Sequence, residues 1–146
     1  MEAARDDPFH LARFVAAQAP VIERVRAELS RGAKRSHWMW FVFPQLAGLG
    51  KSPTARAYAL ASLDEAKAFF AHPVLGARLC ELTGLVLDAG PDATARGIFG
   101  APDDLKFHSC MTLFARAAPR EAPFRRALAR FFDGREDGAT LALLAA

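Results

Sequence analysis

A short segment in the first half of the chain combines aromatic and polar side chains in a way that suits ligand binding. Its members are Arg35, His37, Trp38, Trp40 and Gln45. An arginine and two indoles can clamp a flat, anionic molecule by charge and stacking, and a histidine can change its charge near neutral pH. The alternative is structural: an aromatic core hub in which the indole N–H groups and the histidine are hydrogen-bonded. The residues alone leave both interpretations open.

A glycine-rich loop follows at residues 48–52 and ends in Lys51 and Ser52. Loops of this kind can cradle phosphate with their backbone amides. The Walker pattern, however, has a glycine and four further residues before its Gly-Lys-Ser, and it follows a strand. Because this chain lacks that first glycine, a turn leading into a helix is the simpler prediction. An anion at the N-terminus of that helix remains a possible second role.

A third group of polar residues lies in the second half of the chain, at Asp104, Lys106, His108 and Ser109. Lys106 and Ser109 are three residues apart, so they share one face of a helix. Lys106 could bind phosphate or act as an acid or base if desolvated, whereas Ser109 would need an oriented base to become a nucleophile. The candidate catalytic residues are therefore His37, Lys106 and Ser109. A solvated lysine and a helix-interior serine are the structural alternatives.

Neither a metal nor a cofactor is predicted. No two potential ligands have the close spacing of a metal-binding motif. The two cysteines, Cys80 and Cys110, lie in apolar, helix-like patterns and are interpreted as small buried hydrophobic residues in a reducing compartment. The histidines are widely spread, at His10, His37, His72 and His108.

Composition indicates one globular domain spanning residues 1–146, with 52% apolar and 24% charged residues. There is no signal-peptide pattern and no apolar run long enough to cross a bilayer, so we expect a cytoplasmic protein without membrane contact. The net charge is only +3, and the basic residues are scattered along the chain. Nucleic-acid binding is therefore an unlikely function. The residues that could serve such binding are Arg31, Lys34, Arg35 and Lys51.

The elements that must position these residues are short helices. Proline and glycine punctuate the chain, and apolar residues recur at helical spacing, which predicts an all-α bundle of roughly eight helices with irregular, orthogonal packing. Asp7-Pro8 is expected to open the first helix, Ser62 and Glu65 form a capping box, and Asp137 is a candidate cap for the last helix. Residues 38–43 suit a strand by propensity, but no partner strand is evident, so a short buried helix is preferred.

The sequence resembles the domain-of-unknown-function 1810 family from about residue 7 to residue 144. The resemblance implies an all-α fold and no assigned biochemical role. Some members of that family bear the label calpastatin, but such inhibitors are disordered and repetitive, whereas this chain is compactly patterned. The segments that carry the resemblance are residues 7–9, 34–46, 48–52, 72–76, 99–100, 104–106 and 109–114.

Three functions compete. The preferred one is a small-molecule binding protein or enzyme whose ligand is anionic and flat, such as a nucleotide, in a pocket built from residues 37–45 and the Lys106 helix. The others are a non-enzymatic protein-interaction module and, more weakly, nucleic-acid binding. If the fold brings Arg35 and Lys106 into one cavity, the two cations need a bound anion or a carboxylate between them. Asp104 is the candidate carboxylate. No pattern fixes an oligomeric state. The candidate ligand-binding residues are Arg35, His37, Trp38, Trp40, Gln45, Lys51, Ser52, Asp104 and Lys106.

Overall fold

The computed structural model describes residues 7–146, which form ten α-helices. The all-α prediction is confirmed, and the count exceeds eight because three of the helices have only four or five residues. The helices are α1 (Ala12–Gln18), α2 (Ile22–Ser30), α3 (Met39–Val42), α4 (Pro53–Ala57), α5 (Leu63–Ala71), α6 (Leu75–Leu87), α7 (Ala95–Phe99), α8 (Asp103–Ala117), α9 (Ala122–Phe132) and α10 (Gly138–Ala145).

Side-chain caps define where several helices begin. Ser52, Ser62, Thr94 and Asp137 each accept a hydrogen bond from the amide three residues later. Such caps satisfy amides that have no partner within the helix. The capping box of α5 is displaced by one residue, since the Glu65 carboxylate accepts from the Ala61 amide (2.8 Å), one residue before the N-cap.

The first helix starts later than the sequence suggested. His10 adopts a left-handed conformation with φ 53°, which interrupts the helix after Asp7-Pro8. The Asp7 carboxylate still acts as a cap, because it accepts from the amides of Leu11 (2.7 Å) and Ala12 (3.0 Å). Asp7 therefore binds amides at the start of the helix, but the helix begins at Ala12 and its N-cap position is Leu11 rather than Asp7.

The run 38–43 contains the single helical turn α3 (Met39–Val42), flanked by Trp38 and Phe43, rather than a strand. Trp38, Met39, Val42 and Phe43 are all buried, so the β-like composition of this run reflects its place in the core. Within the described residues, the one isolated β-bridge joins Leu46 and Leu60 in parallel. It closes the loop that contains the glycine-rich segment.

The core is built around α8, which packs against α5, α7, α9 and α10. Aromatic side chains fill it: the Phe107 ring lies 4.6 Å from that of Phe99 and 5.2 Å from that of Phe43, measured between centroids. Helices α5 and α6 meet at 89° across His72-Pro73, an example of the orthogonal packing. No single described helix is long and apolar enough to span a membrane, and the bent α5–α6 pair satisfies the length and composition only in combination.

Candidate functional site

A small cleft lies between the segment that follows α2 and the start of α8. One wall is formed by residues 34–40 and the other by the end of α7, the turn after it and the first turn of α8. Its volume is about 390 Å³, which is within the range of small-molecule sites. The lining residues are Lys34, Arg35, Ser36, His37, Met39, Trp40, Phe99, Ala101, Pro102, Asp103 and Lys106.

Lys34 joins the two walls. Its backbone amide donates to the Ile98 carbonyl (2.7 Å), and its ammonium lies 2.8 Å from Asp103 Oδ2. The same ammonium donates to the Ser36 carbonyl (2.5 Å). Only 7% of the Lys34 side chain is exposed. Lys34 is therefore committed to holding the cleft together and has little capacity left for a ligand.

Lys106 occupies the opposite wall and is held more loosely. Its ammonium lies 3.4 Å from Asp103 Oδ1 and 5.0 Å from the centroid of the Trp40 ring. The contact with the indole face is a cation–π interaction. Because 23% of the Lys106 side chain is exposed and its ion pair is long, this ammonium can accept a ligand as an additional partner.

Glu28 organises the first wall from beneath. Its Oε1 accepts from the Arg35 amide (2.8 Å), the Ser36 amide (3.1 Å) and the Trp38 indole N–H (2.9 Å), while Oε2 accepts from the Ser36 hydroxyl (2.5 Å). Burial alone would raise the pKa of Glu28, but these hydrogen bonds outweigh it and lower the pKa to about 2. The carboxylate is thus charged at neutral pH and fixes the backbone that carries Arg35 and His37.

Four of the predicted residues line this cleft: Arg35, His37, Trp40 and Lys106. Trp38 does not, since it is fully buried and its indole N–H is used by Glu28. The structural interpretation therefore applies to Trp38, which is a core residue. The ligand-binding interpretation stays open for Trp40, which is half-buried at the cleft.

The glycine-rich loop contributes nothing to the cleft. Lys51 is exposed, and the Ser52 hydroxyl caps α4 by accepting from the Ala55 amide (3.1 Å). Gln45 pairs through its carbonyl with the Leu60 amide (3.0 Å), and its side chain lies beside Gly50. None of Gln45, Lys51 and Ser52 lines the cleft. The loop is a turn before a helix, as its spacing suggested.

The carboxylate that faces the cleft is Asp103, which lies between Lys34 and Lys106, rather than Asp104. Asp103 and Lys106 are three residues apart and face the cleft together, whereas Asp104 is turned about 100° around the helix axis. Asp104 Oδ1 is buried and has no hydrogen-bond partner among the described residues. Asp104, the candidate carboxylate between Arg35 and Lys106, therefore does not line the cleft, and the carboxylate beside Lys106 is Asp103.

Ser109 lies away from the cleft in a structural network. Its hydroxyl contacts Asp137 Oδ2 (3.0 Å) and the Leu105 carbonyl (3.1 Å), and Asp137 in turn caps α10. The nearby His108 contacts the Arg135 carbonyl through Nε2 (2.8 Å) and stacks on Phe132 at 4.0 Å. His108 is engaged elsewhere, and the Asp137 oxygen that contacts Ser109 also accepts from the Thr140 amide (3.1 Å) and the Thr140 hydroxyl (2.6 Å). Because that carboxylate is used as a helix cap, the arrangement favours the structural alternative for the serine.

Sequence reasoning missed three residues that shape the site. Glu28 shares a helix face with Val25 and Leu29, so an acid on an apolar stripe was the available signal. Asp103 precedes Lys106 by one helical turn, which is the spacing of an ion pair. Lys34 was considered only as part of a basic surface, yet it is largely buried.

A larger groove, of about 840 Å³, lies between α1 and the α5–α6 junction and is lined mostly by apolar side chains. Its two polar side chains, Asp7 and His72, both serve the local backbone. Asp7 caps α1, and His72 Nδ1 accepts from the Val74 amide (3.1 Å). Size alone would favour this groove as a binding site, but the smaller cleft is the stronger candidate because it holds charged groups that can take a further partner.

Metal ligands do not converge in the described part of the chain, where no three His, Cys, Asp or Glu side chains are placed to hold an ion. Cys110 is fully buried and burial raises its pKa well above the usual range. Burial and, secondarily, Glu121 raise the pKa of Cys80. Both thiols are therefore poor nucleophiles.

The family model described as "Protein of unknown function (DUF1810)" matches residues 8–144. This chain belongs to that family. The family that the sequence resembles from about residue 7 to residue 144 is thereby confirmed. No curated protein matches this DUF1810 chain in sequence.

A solved structure supports the same fold. The conserved hypothetical protein Rv1873 from Mycobacterium tuberculosis is 55% identical to this chain and superposes with a TM-score of 0.93. The match covers 96% of this chain and 99% of that one. The fold is thus shared with an experimentally determined structure of similar length.

Proposed function

We propose that this protein binds an anionic small molecule in the cleft between residues 34–40 and the start of α8. One observation carries the proposal: Lys106, partly exposed and loosely paired, faces the same small cleft as Arg35 and His37. Three cations, Lys34, Arg35 and Lys106, meet a single carboxylate there. The excess of positive charge favours an anion within a partly desolvated space.

Trp40 and the cleft volume restrict the ligand. The Lys106 ammonium lies over the Trp40 ring, and the indole holds this cation in place. A flat ligand can therefore stack only on the part of the ring that Lys106 does not cover. A volume of about 390 Å³ suits a compact molecule. A mononucleotide or a smaller phosphorylated metabolite fits these limits better than a dinucleotide.

Two residues of the cleft could also take part in catalysis. His37 is exposed and lines the cleft, and Lys106 faces it. If a bound molecule is chemically changed, these two side chains are the candidates to move a proton. We also propose a cytoplasmic location, supported by two free cysteines in a chain that shows no disulfide.

A thermal-shift screen tests the binding proposal. Wild-type protein is heated with millimolar phosphate, nucleoside monophosphates and sugar phosphates. The matched variants are Lys106→Met, which keeps the side-chain stem against Trp40, and Lys51→Ala, which removes an exposed lysine outside the cleft. We expect an anion-dependent rise in Tm for wild type and Lys51→Ala that is lost in Lys106→Met. The proposal would be overturned if no anion raised the Tm of the wild-type protein, or if the Tm rose equally in all three proteins.

A protein-interaction module is the second candidate, and one observation favours it. Leu105 is 63% exposed on the first turn of α8, next to Lys106. A large apolar side chain at such a position suits a contact with another protein. If no anion changes the Tm, this function takes precedence, and Leu105→Asp is the variant with which to test it.

A further inference from the structure

Asp103 gives the cleft a feature that a simple anion site lacks, namely a carboxylate that can still accept hydrogen bonds. Its Oδ2 lies 2.8 Å from Lys34, its Oδ1 lies 3.4 Å from Lys106, and 19% of its side chain is exposed. An ionised carboxylate offers roughly four lone-pair positions. The two lysines use only part of that capacity, and the longer contact leaves Oδ1 only weakly engaged.

A carboxylate among cations changes which anions fit. A bare anion such as sulfate gains from Arg35 and Lys106 but is repelled by Asp103, which lines the same small cleft. A molecule that carries an anionic group and also neutral donors avoids this conflict. Its hydroxyl groups can donate to Asp103 while its charge lies against the cations, so each charged group of the cleft meets a complementary partner.

The cations facing the cleft suit a phosphoryl group. Lys34 is committed to Asp103 and Ser36, which leaves Arg35 and Lys106 as the cations able to bind a ligand. Arginine binds phosphate through paired N–H donors, and lysine binds it as a point charge. A phosphomonoester dianion carries charge enough for both. The start of α8 adds the positive end of its dipole, although the amides of Asp104, Leu105 and Lys106 already donate to turn carbonyls.

We propose that the ligand is a hydroxylated phosphomonoester of the sugar-phosphate class, with its phosphoryl group on Arg35 and Lys106 and a hydroxyl donating to Asp103. This inference rests on the proposed function and narrows it. Asp103 is then a specificity-determining residue, because it makes the cleft discriminate between phosphate esters that carry hydroxyl groups and those that do not. The cleft volume of about 390 Å³ accommodates a pentose or hexose monophosphate.

Isothermal titration calorimetry with a matched ligand series tests this directly on the wild-type protein. The probes are ribose 5-phosphate, n-propyl phosphate, inorganic phosphate and ribose. Since a hydrogen bond to a charged group contributes enough to change affinity about tenfold, ribose 5-phosphate should bind about tenfold more tightly than n-propyl phosphate. Ribose, which lacks the anion, should bind too weakly to detect.

Asp103→Asn supplies the second arm, with Asp92→Asn as a control acid that is exposed on a loop away from the cleft. In Asp103→Asn, the ratio of the affinity for ribose 5-phosphate to that for n-propyl phosphate should fall towards one. Inorganic phosphate should bind to this variant as tightly as to the wild type, or more tightly. Asp92→Asn should retain the preference. If Asp103→Asn does not fold, the ligand series on wild type still decides the matter.

The outcomes separate the two proposals. Equal affinity for the two esters, with inorganic phosphate bound, would overturn the sugar-phosphate inference and leave anion binding intact. A preference for ribose 5-phosphate that survives in a folded Asp103→Asn variant would overturn the role of Asp103. Failure of every phosphate-bearing probe to bind would overturn the proposed function itself.

Discussion

The indole N–H of Trp38 donates a 2.9 Å hydrogen bond to the carboxylate of Glu28, and both side chains are buried. This pair lies beneath the cleft and connects its first wall to the core. Because the same carboxylate also accepts from the amides of Arg35 and Ser36, Glu28 determines the path of the backbone that carries the cleft residues.

Removing the Glu28 carboxylate should therefore be costly. Glu28→Ala leaves four donors without this acceptor, three of them on the half-buried Ser36 and the buried Trp38. We expect a loss of about 3–5 kcal/mol in the free energy of unfolding. Glu28→Gln should cost less, since its amide oxygen can still accept while its NH₂ group faces the Ser36 hydroxyl. Chemical denaturation of the two variants measures both values. Equal losses would mean that charge, rather than hydrogen bonding, dominates.

The lowered pKa of Glu28 also predicts a pH dependence. Its pKa is about 2 in the folded protein against an ordinary value of 4.5. A depressed folded pKa contributes stability above the unfolded value, and this contribution is lost as pH falls from about 4.5 towards 2. The loss should amount to about 2–4 kcal/mol in wild type. Denaturation between pH 6 and pH 2 should show a shallower decline in Glu28→Gln, and an unchanged slope would contradict the assignment.

The two tryptophans should respond differently to truncation. Trp38→Ala removes a fully buried side chain and a hydrogen bond to Glu28, so we expect a loss of about 3–5 kcal/mol. Trp40 is half-buried at the cleft, and Trp40→Ala should cost about 1–2 kcal/mol. Thermal and chemical denaturation measure the difference. A Trp40→Ala loss as large as that of Trp38→Ala would make Trp40 a core residue too and weaken the case for a binding cleft.

The double variant Arg35→Ala/Lys106→Ala should remain stable. Asp103 keeps its 2.8 Å contact with Lys34, and Glu28 binds the Arg35 amide rather than its side chain. The expected change is within about 1 kcal/mol, as for partly exposed ion pairs. Lys34→Ala is the contrasting variant and should cost about 2–4 kcal/mol, because it leaves Asp103 with only the long contact to Lys106. A strongly destabilised double variant would show that the cleft cations serve the fold alone.

The sequence predicted the helical class, most of the helices and four of the cleft residues, because these depend on local patterns. Apolar spacing and the caps at Ser62 and Asp137 act over a few residues. The role of Asp103 instead of Asp104 depends on the register of α8 against a segment far away in the chain. The burial of Lys34 and Glu28 likewise depends on tertiary contacts, which the local pattern around either residue does not contain.

The central claim is that the cleft beside Trp40 binds an anion, and the chain carries two natural reporters of it. In a ¹H–¹⁵N NMR titration with phosphate, each tryptophan gives one indole N–H signal, and Trp38→Phe assigns them. We predict a saturable shift of the Trp40 signal, a nearly stationary Trp38 signal, and loss of the Trp40 shift in Lys106→Met. A Trp40 signal that does not move, or shifts centred on residues 48–52, would contradict the account.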